Sequence, residues 1–251
     1  MRRFFVEEVI KRDGYCIISG NEARHISRVL RMEKGDNFIL MDRGGNRFEA
    51  VIESADCNDI LVKLKRPLPA PLASPVEINL CQALLKSRSM DYIIEKTSEL
   101  GVNSIIPFSS EKTVIKLDGE RALAKVRRWN EIAKSAAKQA DRIKPAEIYS
   151  PVFFRDLMDK WNRMDPLKVI LWEKEESRDL KDLLKSFQPS RRFLGMVGPE
   201  GGFSQKEASM AKEAGFIPVS LGKRILRAET AAITLVAIVQ YEWGDLSLNQ
   251  Q

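Results

Sequence analysis

Beyond residue 75 the chain is punctuated by five short apolar runs: Val76–Leu80, Ser104–Pro107, Val169–Trp172, Phe193–Val197 and Ile217–Leu221. Helical patterns lie between them. Ser87–Leu100 ends at Gly101, which suits a helix C-terminal cap. Glu120–Ile143 carries Ala122, Val126, Trp129, Ala133, Ala136 and Ala140 at steps of four and three, one continuous apolar stripe. Ser177–Phe187 and Gln205–Ala214 read as shorter helices, and Ala231–Tyr241 as an apolar one. Strands alternating with helices bury their apolar faces in one way: a mostly parallel sheet covered on both sides.

The first part of the chain has a different period. Arg3–Ile10 and Tyr15–Ser19 flank the turn-prone Asp13-Gly14. Phe38–Asp42 and Arg47–Glu53 flank Arg43-Gly44-Gly45-Asn46, a hairpin signature. Ile60–Lys65 alternates apolar and basic residues, and a helix is expected over Glu22–Met32. These elements predict a small β-barrel. Pro67, Pro69, Pro71 and Pro75 then mark an extended linker. The boundaries are therefore 1–70 for the barrel and 75–251 for the α/β domain.

Composition narrows the partners. The net charge is +6, and the stretch from Lys112 to Lys144 holds ten Lys/Arg against four Asp/Glu, an excess as large as the whole chain's. A basic balance favours anionic partners such as nucleic acid. Three scattered cysteines (Cys16, Cys57, Cys81) and one histidine, His25, exclude a disulfide framework and most metal sites. Glu7 and Glu8 interrupt the only N-terminal apolar stretch, and Ala231–Val239 is too short to span a bilayer. A reduced, cytoplasmic protein without metal is expected.

Two late loops stand out. Val197-Gly-Pro-Glu-Gly-Gly-Phe-Ser204 joins an apolar run to a capping box, Ser204-Gln205-Lys206-Glu207. It is neither a Walker loop, which needs Gly-Lys-Ser/Thr, nor a dinucleotide fingerprint, nor a nucleophile elbow, since Glu200 stands where a serine is required. About twenty residues later Leu221-Gly-Lys-Arg-Ile-Leu-Arg-Ala-Glu-Thr-Ala231 repeats the design of strand, glycine, basic turn and apolar helix. Each alone could be a tight structural turn. As a pair they could wall one pocket, and composition names no ligand for it.

These two segments resemble the signature of the bacterial 16S ribosomal RNA uridine-N3 methyltransferase family, in the SPOUT superfamily of knotted methyltransferases. Met1-Arg-Arg-Phe-Phe5, His25–Arg31, Gln82–Val102 and Arg128–Arg142 resemble further family segments in the same order, so the similarity runs along nearly the whole chain. Ala228 departs from the threonine common there, and Lys138 from an acid. The resemblance implies an α/β fold: a PUA-like β-barrel, then a SPOUT methyltransferase domain closed by a C-terminal trefoil knot. It implies a homodimer, S-adenosylmethionine as cofactor, and 16S ribosomal RNA, in the small ribosomal subunit, as partner.

It also implies a cofactor cradle. Val197, Gly198, Glu200, Gly201 and Gly202 would form one wall; Leu221, Gly222, Ile225, Leu226 and Thr230 a second; Leu171, Trp172 and Glu173 a third. The uridine N3 must lose a proton to become nucleophilic. Arg227 is the candidate for stabilising the resulting negative charge, and Glu229 the candidate base. Glu229 could equally serve as an acid at a helix start. Arg3 is a candidate RNA contact, as is His25. Arg24, Arg28 and Arg31, at steps of four and three, would share one helix face toward phosphates. Arg127, Arg128, Lys134, Lys138 and Arg142 form a second candidate RNA face. For both faces a merely solvated helix surface fits the spacing as well. A non-catalytic RNA-binding protein on the same fold is the alternative; it would lack cofactor affinity.

Overall fold

The computed structural model describes the chain except for residues 7, 10–12, 43, 57, 70–72, 114–118, 162–166 and 247–251. It divides into two compact units. The first is Met1–Leu72 with Ala137–Lys144; the second is Ala73–Ala136 with Pro145–Gln251.

The first unit is a five-stranded sheet of β1 (Arg3–Phe5), β2 (Tyr15–Ser19), β3 (Asn37–Met41), β4 (Arg47–Ala55) and β5 (Asp59–Pro67), in the order β1-β3-β4-β5-β2. The expected hairpin is present: β3 and β4 pair antiparallel, Met41 opposite Arg47. The Asp42 carboxylate ties its turn by accepting from Asn46 N (2.9 Å) and Nδ2 (2.8 Å). The Arg43 position of that turn lies outside the described residues. The strands on either side of Asp13-Gly14 do not pair with each other. β1 runs parallel to β3, and β2 antiparallel to β5. Phe4 from one end of the sheet and Cys16 and Ile18 from the other share one core with Leu40, Ile52 and Val62, so the sheet curls around that core as a barrel does. Pro67 is the last residue of β5 rather than the first of a linker; Pro71 lies outside the described residues. β2 pairs only as far as Lys63, so the missing N–H of Pro67 breaks no bond on that side.

The helix expected over Glu22–Met32 needs correction. It runs as α1 (Gly20–Arg24) and continues as one π-helical turn, His25–Val29. Arg31 lies beyond it with φ +49°. The wider turn and the left-handed residue take Arg31 off the stripe expected for Arg24 and Arg28.

The second unit is a parallel sheet. It contains β6 (Glu77–Ala83), β7 (Ser104–Ser109), β8 (Glu147–Ile148), β9 (Val152–Phe153), β10 (Leu167–Leu171), β11 (Arg192–Val197) and β12 (Ile217–Val219). The order is β12-β10-β11-β6-β7-β8, with β9 also on β7. The helices are α2 (Ser87–Glu99), α3 (Gly119–Gln139), α4 (Phe154–Trp161), α5 (Leu180–Ser186), α6 (Gln205–Glu213) and α7 (Ala228–Trp243). The two-residue strands β8 and β9 and the helix α4 were not among the expected elements.

Alternate strand residues serve two cores, the period-two logic of a buried sheet. Leu80 and Val197 join Ile94, Trp129, Leu184 and Leu235, whereas Cys81 and Met196 join Phe108, Leu157, Ala208 and Phe216. The stripe on α3 is buried at Trp129, Ala133 and Ala136. That helix stops at Gln139, and Asp141 takes φ +56°, so Ala140 and Arg142 fall outside it. Gly195 explains how closely α7 approaches β11: a Cβ there would stand 2.5 Å from Leu235 Cδ2. α5 begins later than expected because Asp179 caps it, accepting from Asp182 N.

Candidate functional site

β12, β10 and β11 are parallel neighbours, so their carboxyl ends open side by side. In open α/β sheets this edge is where ligands gather. A cavity of about 1170 Å³ lies there, lined by residues 171–173, 175–179, 197–203 and 219–229 together with Ser89, Asp182 and Ala231. Three loops make its walls.

The first wall follows β11. Gly202 N donates to Pro199 O (2.9 Å), closing a tight turn. Gly202 has φ +63°, and a Cβ on it would stand 2.5 Å from the Glu173 carboxylate. The positive φ favours glycine there, and a side chain would have to push the Glu173 carboxylate aside. Phe203 is buried, stacked on Phe108 (ring centroids 6.3 Å apart), and anchors the turn to the sheet. The expected capping box is complete: Glu207 N donates to Ser204 Oγ and Ser204 N to Glu207 Oε2.

The second wall follows β12. Gly222 has φ +96° with open space where a Cβ would be. Lys223, Arg224 and Arg227 are exposed, and Ile225 is 91% exposed. None of these three cations pairs with an acid among the described residues. Arg227 is the N-cap of α7 and offers no side-chain cap. The free N–H groups of the α7 first turn therefore leave a partial positive charge beside the cavity.

The third wall follows β10. Trp172 N donates to Val219 O and Ser220 N to Arg178 O, lacing this loop to the second wall. Trp172 is 8% exposed, its indole N–H has no partner among the described residues, and Lys212 Nζ sits 5.1 Å from its ring centroid. The Glu175 carboxyl is held below its ordinary range, chiefly because Ser177 Oγ donates to it.

The structure thus brings Leu171, Trp172, Glu173, Val197, Gly198, Glu200, Gly201, Gly202, Leu221, Gly222, Ile225, Leu226, Arg227 and Glu229 around one cavity. Thr230 is exposed and outside the lining. At about 100° per residue it points opposite to Ala228 and about a quarter turn from Ala231, which do line it. Among the described residues no cluster of His, Cys, Asp or Glu could hold a metal, and no helix is long and apolar enough to cross a membrane.

The basic residues divide into free and engaged. Arg24, His25, Arg28 and Arg31 are exposed in the first unit, His25 edge-on to Phe4. Arg3 is paired with Asp141 (2.8 Å), which also accepts from the buried Arg47. On α3, Arg128 is fixed to Asp91 and Lys134 to Glu131, while Lys138 reaches Glu22 within the first unit. Arg142 is half-buried. Sequence reasoning missed two features beside the cavity. Lys112 Nζ donates to Gly201 O, and Glu207 Oε1 accepts from Glu111 N. Glu207 had been visible only as a cap. Its second partner lies 96 residues away, beyond any local pattern.

A family model described as an RNA methyltransferase domain matches residues 72–240, and one described as an RNA methyltransferase PUA domain matches residues 18–65. This chain belongs to that RNA methyltransferase family. The ribosomal RNA small subunit methyltransferase E of Mesomycoplasma hyopneumoniae is 32% identical, over 94% of this chain and 97% of that one. The Aquifex aeolicus protein of the same name is 31% identical over 95% and 99%. The crystal structure of ribosomal RNA small subunit methyltransferase E from Neisseria gonorrhoeae bound to S-adenosyl methionine is 33% identical. It superposes with a TM-score of 0.88, covering 98% of this chain and 100% of that one. The family resemblance read from the glycine loops therefore holds along the chain.

Proposed function

We propose that this RNA methyltransferase transfers a methyl group from S-adenosylmethionine to N3 of a uridine in 16S ribosomal RNA. The partner would be the small ribosomal subunit, and the protein would act as a cytoplasmic homodimer. In this reading residues 1–70 form the RNA-binding PUA-like barrel, and residues 75–251 the SPOUT domain with its C-terminal trefoil knot. One observation carries the reading: three loops at adjacent strand ends wall one cavity, two of them turning on left-handed glycines.

The cavity suits the cofactor. Side chains at Gly198 and Gly202 would crowd Phe203 and Glu173, two of the residues that line the cavity. The Trp172 indole N–H is a buried donor without a partner among the described residues, and the α7 N-terminus favours a carboxylate. Val197–Gly202, Leu171–Glu173 and Leu221–Leu226 would hold it, largely through backbone groups; Thr230 would contribute less directly. When bound, the cofactor supplies an activated methyl group on a sulfonium. The protein has to orient the base and carry the charge that develops on it.

Uridine N3 is on the pairing edge, so the base has to be unpaired or extruded. Arg227, at the cavity and without an acid partner among the described residues, would stabilise the deprotonated imide. Glu229, partly buried in the first turn of α7, would accept the proton. Arg24, His25, Arg28 and Arg31 would meet RNA phosphates. Arg3, Arg128 and Arg142 would contribute less, since Arg3 and Arg128 hold acids within the protein and Arg142 is half-buried.

The test is transfer of a labelled methyl group to small ribosomal subunits and to naked 16S RNA, followed by nucleoside analysis. The expected product is 3-methyluridine. Tight RNA binding without cofactor affinity would return the protein to a non-catalytic RNA-binding role.

A further inference from the structure

The glycine wall of the cavity is held from behind by a segment that takes no part in lining it. That segment is Ser110–Thr113, which follows β7. It is a closed turn: Thr113 N donates to Ser110 O (3.0 Å) and Ser110 N to Thr113 Oγ1 (2.9 Å). Three ties join it and β7 to the glycine loop. Phe108 stacks on Phe203, Lys112 Nζ donates to Gly201 O (2.8 Å), and Glu111 N donates to Glu207 Oε1 (2.9 Å).

Glu207 is the centre of this arrangement. Its side chain is 4% exposed, a burial that carboxylates rarely reach without strong partners. One oxygen accepts from Ser204 N, where the glycine loop ends, and the other from Glu111 N. Its position in the first turn of α6 adds the favourable end of the helix dipole. A cap needs only the first of these contacts. The second does nothing for the helix and fixes the distance between the two segments.

We infer that Glu207 is a positioning residue for the cofactor: it locks the 198–203 loop against the 110–113 turn in the shape that binds S-adenosylmethionine. The inference rests on the cofactor reading above. Without the lock the loop keeps its glycines and the Ser204 Oγ half of its cap but samples other shapes, and binding falls by the share of time it spends in them.

The experiment is calorimetric titration with S-adenosylhomocysteine of wild type, Glu207→Ala, Glu207→Gln, Ser204→Ala and Lys112→Met, with thermal melts and steady-state methylation. Glu207→Ala should weaken binding about tenfold to a hundredfold, the range for losing buried hydrogen bonds to a charge. KM for S-adenosylmethionine should rise while kcat at saturation stays near wild type. Glu207→Gln keeps one acceptor oxygen and should recover part of the affinity. Ser204→Ala removes the cap and leaves the lock, so it should lower the melting temperature without changing affinity. Lys112→Met should weaken binding about threefold, a surface-grade contact.

Wild-type binding with Glu207→Ala unchanged, or weakened only in step with Ser204→Ala, overturns the positioning role and leaves the enzyme reading intact. Should Glu207→Ala fail to fold, Glu207→Gln and Lys112→Met decide: unchanged affinity in both overturns it. No binding by wild type defeats the cofactor reading itself, and this inference with it.

Discussion

The glycine loop after β11 and the basic turn after β12 look alike in sequence, each a glycine-bearing strand exit leading to a helix. Folded, they differ. The first is clamped by Phe203, Lys112 and the Ser204–Glu207 box, and its glycines stand against other atoms. The second has open space at Gly222, exposed Lys223, Arg224 and Arg227, and a helix start without a side-chain cap. One wall is preformed and one is open. A preformed wall binds a constant ligand at little ordering cost. An open, cationic wall suits a variable polyanion. On the reading above both walls touch the cofactor, and the contrast makes the first its fixed side and the basic turn of the second, with Arg227, the side that would also meet RNA.

The largest expected effect tests the preformed wall. Gly202→Trp should abolish S-adenosylhomocysteine binding by calorimetry, since an indole at φ +63° is strained and would displace the Glu173 carboxylate at the cavity wall. Gly222→Ala is the matching change on the open wall. It meets no atom and should cost only the strain of its positive φ, about 1–2 kcal/mol. Equal losses in both would erase the distinction between the walls.

Next comes Arg227→Ala. Loss of a charge-stabilising donor should lower kcat by about a hundredfold to a thousandfold. S-adenosylhomocysteine affinity should stay within about threefold of wild type, less than half a decade. A variant that loses cofactor binding instead would move Arg227 to the cofactor side of the comparison.

The same division into free and engaged groups separates the two basic faces. Arg24→Glu with Arg28→Glu should weaken RNA binding and reduce the slope of log affinity against log salt by about two. Arg128→Glu should leave that slope nearly unchanged, because Arg128 already pairs with Asp91. Filter binding at several salt concentrations measures both.

How much of this was legible beforehand follows from the range of the causes. The parallel sheet, the hairpin at Met41–Arg47 and the capping box at Ser204–Glu207 are local patterns, and they are where the pattern put them. The gathering of residues 171–173, 197–202 and 221–227 came from the family resemblance; periodicity alone gave two loops and no ligand. What escaped was decided by backbone irregularities and side-chain pairings that no period encodes. Arg31 leaves its stripe because a π-helical turn intervenes. The spacing of the α3 cations could not show that Arg128, Lys134 and Lys138 pair with Asp91, Glu131 and Glu22. β8 and β9 are two residues each, too short for any period, and exist because β7 offers them an edge.

The smallest expected effect concerns the third wall, which sits between the other two. Glu175 accepts from Ser177 Oγ and N and shapes the turn after Trp172. Those hydrogen bonds, Ser177 Oγ first, hold its carboxyl below its ordinary range against the opposing pull of burial. A depressed carboxyl contributes stability that is fully present above its unfolded pKa, about 4.3, and is lost as the pH falls through its folded value. The turn should therefore loosen on the acid side only. Tryptophan emission followed from pH 7 to 3 should show a small transition in wild type that Glu175→Gln removes. The stability difference at neutral pH should be under about 1 kcal/mol, because the group is largely solvated. A transition of the same size in the Gln variant would detach Trp172 from this turn, and the third wall would then belong with the clamped one.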